Sequence, residues 1–126
     1  MVGKIWAEAV SDDQPLTVAA WNAACDAFRE TVLRTTLSDY SKNDLIGGQE
    51  AKFNNFCVPQ TTDAPESRIP ETLAELRRSN EESLRGSKEY ASRDEQLVLR
   101  EAFNEMEAAA KKAMKASKGA GGPGVA

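Results

Sequence analysis

The stretch Leu16–Tyr40, LTVAAWNAACDAFRETVLRTTLSDY, decides the fold class. Val18, Trp21, Cys25, Phe28 and Val32 recur at spacings of three and four. At about 100° per residue they fall within an arc of roughly 80°. Leu33, Leu37 and Tyr40 widen that arc on one side, while Asn22, Asp26, Arg29 and Glu30 fall mostly outside it. The pattern predicts an amphipathic helix over about 16–40. Asp12, Asp13 and Pro15 mark its start, with Thr17 as a further N-cap candidate, and Ser38, Asp39, Ser41 and Asn43 mark its end.

Outward from this helix the chain changes character. Before it, Ile5, Trp6 and Val10 form a short apolar cluster, and Trp6 is of the residue type that anchors a segment on a helix or in a partner's pocket. After it, Ser41 to Gly48 reads as a loop. Phe53, Phe56 and Cys57 then support a short helix near 50–58, ended by Pro59. Residues 59–70, PQTTDAPESRIP, hold three prolines and one aliphatic side chain, the composition of an extended linker.

Beyond the linker a second helix is expected over about 71–85, with a thin stripe of Leu73, Leu76 and Leu84. Its pairs Arg77–Glu81, Arg78–Glu82 and Glu81–Arg85 are spaced for weak helical ion pairing. Ser92 and Glu95 match a capping box and open a third helix over about 92–117, striped by Leu99, Phe103, Met106, Ala110 and Met114. One continuous helix from Glu71 to Ser117 is the alternative, since a single interior glycine costs only about 1 kcal/mol. Residues 118–126, KGAGGPGVA, form a Gly-rich tail. The expected architecture is therefore all-α: three main helices and one short one. It divides into an N-terminal core segment 1–58, the linker 59–70, a charged helical segment 71–117 and the tail.

Composition narrows the function classes. Sixteen basic and twenty acidic residues give a net charge of −4, against a nucleic-acid partner, which calls for a basic footprint. No apolar run reaches the length of a membrane span. The two cysteines, Cys25 and Cys57, are too far apart for a zinc spacing or a disulfide framework. They point to a reduced, cytoplasmic setting. The chain has no histidine, which removes the usual general base near neutral pH and histidine metal ligation. Gly47-Gly48 lacks the GK[ST] continuation of a phosphate loop. No catalytic residue, cofactor or metal is assigned.

One short resemblance concerns residues 39–50, DYSKNDLIGGQE. Counting Asp39 as the first position, Ser41 and Asn43 fall at the third and fifth, Ile46 at the eighth and Glu50 at the twelfth. This resembles an EF-hand calcium loop, whose ligands would be Asp39, Ser41, Asn43, the Leu45 carbonyl and Glu50. It departs from that pattern in having Asp44 where the sharp turn needs glycine. The resemblance implies, as an alternative function, a calcium-responsive adaptor.

The leading expectation is a non-catalytic helical subunit that docks into a larger protein assembly, such as a cytoskeletal or ciliary lattice or a viral particle. The partner is a protein, not nucleic acid or membrane. Candidate partner-binding side chains are Trp6, Trp21, Phe28, Val32, Phe103 and Met106. A small regulator that presents one amphipathic helix to a groove is a further alternative. The choice turns on whether the Trp21/Phe28 face is covered by the chain itself.

Overall fold

A computed structural model describes residues 13–53 and 69–121. Among these residues the protein is all-α, with four helices and no strand: α1 Val18–Leu33, α2 Asp39–Phe53, α3 Leu73–Ser87 and α4 Arg93–Gly121.

The helix starts follow local chemistry. Thr17 caps α1, its hydroxyl accepting the Ala20 N–H at 3.1 Å. Thr72 caps α3 in the same way, accepting the Glu75 N–H at 3.1 Å. Ser92 and Glu95 form the expected capping box at α4: the Glu95 N–H donates to the Ser92 hydroxyl at 3.1 Å, and the Ser92 N–H donates to the Glu95 carboxylate at 2.9 Å. Ser38 opens α2, its hydroxyl accepting the Ser41 N–H at 3.1 Å and its carbonyl accepting the Lys42 N–H at 3.0 Å.

Three sequence expectations are corrected. The helix over 16–40 stops at Leu33, and the loop expected over 41–48 is helical. At the break the Thr35 hydroxyl donates to the Val32 carbonyl at 2.6 Å, and the β-branched pair Thr35-Thr36 lowers helix propensity slightly. The short helix near 50–58 is instead the end of α2, and residues 54–58 lie outside the described region. α2 forms because Leu45, Gln49 and Phe53, four residues apart, are buried on one face, with Asp39 in its first turn and Lys52 in its last. That burial overrides Gly47-Gly48, which stand in the helix and not in a turn. The 71–117 segment is two helices, broken at 88–92; Gly86 is inside α3. The linker residues 59–68, Trp6 and residues 122–126 lie outside the described region.

α4 is the spine of the bundle. Its stripe of Leu99, Ala102, Phe103, Met106, Ala110 and Met114 is buried, and its main neighbour is α1, through Ala20, Trp21, Ala24, Cys25, Phe28 and Val32. Alanines on both helices let the backbones approach while the larger side chains interlock. Phe28 and Phe103 meet with ring centroids 5.5 Å apart, and Trp21 meets Phe53 of α2 edge to face at 5.0 Å. α3 lies on the other side of α4, held by Leu73 and Leu76 and by an ion pair between Arg77 and Glu107 at 2.8 Å. The sequence reading pairs Arg77 with Glu81 along its own helix; here the guanidinium crosses to the next helix.

The helix directions follow from these contacts. The Leu16 N–H donates to the Glu71 carbonyl at 2.7 Å, which sets the starts of α1 and α3 side by side. α4 runs antiparallel to both. α2 returns from the top of α1 toward Trp21. The turns 34–38 and 88–92 therefore sit at the same end of the bundle.

Phe28→Ala is expected to cost about 3–5 kcal/mol, since it opens a cavity against Phe103; a chemical melt that moves by less than about 1 kcal/mol would contradict this packing. A Cβ at Gly47 or Gly48 meets nothing within 4 Å. Gly47→Ala and Gly48→Ala are each expected to raise stability by up to about 1 kcal/mol, read as a higher Tm.

Candidate interaction surface

The partner-binding side chains proposed from sequence are mostly interior. Trp21, Phe28, Val32 and Met106 are fully buried and Phe103 nearly so, all within one core shared by the two halves of the chain. The face that the sequence offers to a partner is thus covered by the chain's own α4. Their spacing reported burial correctly and could not report what does the burying.

The calcium-loop residues are also relocated. Asp39, Ser41, Asn43, Leu45 and Glu50 all lie on α2, so their backbone is helical and cannot wrap an ion as a twelve-residue loop does. Leu45 is buried, whereas Asp39, Asn43 and Glu50 point to solvent. Among the described residues no group of three Asp, Glu or Cys is placed to hold a metal ion.

What the sequence reading missed is a pole. Among the described residues, the large apolar side chains left exposed are Leu33 (48%), Tyr40 (81%), Tyr90 (67%) and Leu97 (56%). Leu33 ends α1, Tyr40 begins α2, Tyr90 is in the α3–α4 turn and Leu97 is in the opening turns of α4. All four therefore sit at the end of the bundle made by the two short turns. Exposed Arg34, Asp39, Lys88, Glu89, Arg93 and Asp94 surround them with both signs of charge. The residues where the chain leaves the described region (13, 53, 69 and 121) belong to the other helix ends. No single window of sequence holds these four side chains, so only the topology could reveal the cluster.

The two turns lie side by side. The Ser41 side chain of α2 faces the Glu95 carboxylate at the start of α4, and within the first turn the Lys42 ammonium donates to the Leu33 carbonyl at 3.0 Å. The Ser92 backbone N–H, then the Ser92 hydroxyl, with a smaller share from Ser41, hold the Glu95 carboxyl below its ordinary pKa.

Below the pole, α2 leaves a cleft of about 360 Å³ lined by Asp44, Gly48, Gln49 and Lys52, with Ser83, Tyr90 and Leu99 opposite. The Lys52 ammonium donates to the Ser79 carbonyl at 3.1 Å and the Ser83 hydroxyl at 2.8 Å. Partial burial lowers its pKa, with nearby Glu82 opposing the shift. Gln49 and Asn80 are buried, and the Gln49 Oε1 and both amide atoms of Asn80 have no hydrogen-bond partner. At the far end of the bundle, Ala108, Lys111, Lys112 and Lys115 form a basic strip on α4.

No helix among the described residues is long and apolar enough to cross a membrane. Comparison of the chain with known protein families, with curated proteins and with solved structures finds no match.

The Glu95 geometry carries a pH dependence. A carboxyl whose pKa is depressed by folding contributes stability above its unfolded pKa and loses it as pH falls through the folded value. Because the Glu95 side chain remains in reach of solvent at the bundle end, the contribution stays under about 1 kcal/mol. Wild type is expected to exceed Glu95→Gln in urea stability at neutral pH, with the gap closing in acid; a gap that persists in acid would assign the effect to shape and not to charge.

Proposed function

We propose that this chain is a non-catalytic helical interaction subunit that docks into a larger protein assembly, and that it engages its partner through the Leu33–Tyr40–Tyr90–Leu97 pole. The observation that carries this reading is the gathering of these side chains at one end of an otherwise self-covered bundle. Single exposed apolar residues are ordinary on a protein surface; a group of them at one end, two of them tyrosines and ringed by charges of both signs, has the anatomy of a protein–protein interface. Tyrosine suits such a role because it gives a large rigid contact with a polar tip. The sequence supports the non-catalytic part, since without histidine the common nucleophile–base arrangements are absent from the chain.

In this reading the pole replaces the Trp21/Phe28 face as the docking surface, and the core residues act only by holding the two turns in register. Tyr90→Ser combined with Leu97→Ser should leave the thermal melt within about 0.5 kcal/mol of wild type, because both side chains are exposed. The same variant should lose the proteins that wild type recovers from the source cell, whereas Lys112→Ser with Lys115→Ser should keep them. Equal recovery by the pole variant would overturn the proposal.

A further inference from the structure

The cleft between α2 and α3 is built by what α2 puts on its α3 side. The Lys52 ammonium reaches across to the Ser79 carbonyl and the Ser83 hydroxyl. One turn before it, Gly48 brings no side chain, and a Cβ there meets nothing within 4 Å. Asp44 stands one turn earlier still, so residues 44, 48 and 52 run as acid, gap and base down one side of the helix. The cleft they line holds about 360 Å³, with the buried Leu45 and Leu99 also in its lining. That volume falls in the range of small-ligand pockets.

The wall of the cleft carries an unmet demand. Gln49 is only 6% exposed, and its Oε1 has no hydrogen-bond partner in the chain. A buried amide oxygen without a donor is destabilising, and a ligand N–H that reaches it removes that cost.

Electrostatics select the donor. Asp44 lines the cleft and Glu82 lies close to Lys52, so two acids stand against one lysine. Tyr90 at the mouth adds an aromatic ring, a surface that suits a cation. Of the three Lys52 N–H groups, Ser79 and Ser83 take two, and the third is left to donate. The lining calls for a cationic donor with an acceptor a few bonds away.

We propose that this cleft binds a primary ammonium group carried next to a carbonyl, the pattern of a free peptide N-terminus. The ammonium donates to the Gln49 Oε1 and faces the Asp44 carboxylate. The adjoining carbonyl accepts the remaining Lys52 N–H. An anion meets Asp44 and Glu82 unfavourably, and a purely apolar molecule leaves the Gln49 oxygen without a donor. This site goes beyond the docking role and stands without it.

The test is an amide NMR titration of the full chain with triglycine amide and with its N-acetylated form, which keeps the carbonyls and loses the charge. Shifts at Gly48, Ser83 and the Gln49 side-chain amide should saturate below about 10 mM with the free peptide. The acetylated peptide, and methylammonium with its charge but no carbonyl, should each bind about tenfold more weakly or worse. Gly48→Leu fills the gap and Gln49→Leu removes the acceptor, so each should weaken the free peptide about tenfold or more. Gln49→Leu should melt no lower than wild type, because it exchanges an unpartnered polar group for an apolar one. Absence of saturable shifts, equal binding of the free peptide and either control, or binding unchanged in both variants would overturn the site. The variants leave Leu33, Tyr40, Tyr90 and Leu97 in place, so failure here is distinguishable from failure of the pole.

Discussion

The packing of α1 on α4 is the contact from which the rest of the bundle follows. Phe28 against Phe103, set among Ala20, Ala24, Ala102 and Ala110, brings two helices from opposite ends of the chain into close register. Once that register is set, α3 has only one open flank of α4 on which to bury Leu73 and Leu76. α2 has only the space beside Trp21. The two short turns are then forced to the same end, and the exposed side chains of the pole come together as a consequence of helix direction. No local preference for a surface patch is needed.

What could be read from sequence was what is local. The capping box at Ser92 and Glu95, the Thr17 cap and the core stripes of α1 and α4 depend on spacing within a few residues, and spacing is what a sequence displays. The break at Arg34 was hidden because the apolar period runs straight through it; a pair of threonines is a weak signal beside that. α2 was hidden for the opposite reason. Its polar residues and Gly47-Gly48 resemble a loop, and its three buried side chains gain their meaning only from Trp21 and the face of α4. The pole was illegible altogether, because Leu33 and Leu97 share nothing in sequence.

The same distinction explains how one pattern came to support two readings. A broad apolar face tells that something covers a helix, without telling whether the cover is internal. Here α4 supplies the cover for α1, and the residues proposed to meet a partner became the interior. The large apolar side chains left exposed are others, and tyrosines beside turns acquire weight only when two turns coincide.

The distance along the chain between Phe28 and Phe103 has a consequence for synthesis. Helical bundles usually draw on near neighbours and fold quickly, but this core is closed by residues 75 positions apart (103 minus 28). At about 5–20 residues per second a ribosome needs roughly 4 to 15 seconds to pass from one phenylalanine to the other. Throughout that interval the indole of Trp21 and the ring of Phe28 have no α4 to cover them. The emerging chain thus presents its stickiest helix first and its shield last, so its encounter with chaperones, or with another nascent copy, belongs to the period before the bundle exists.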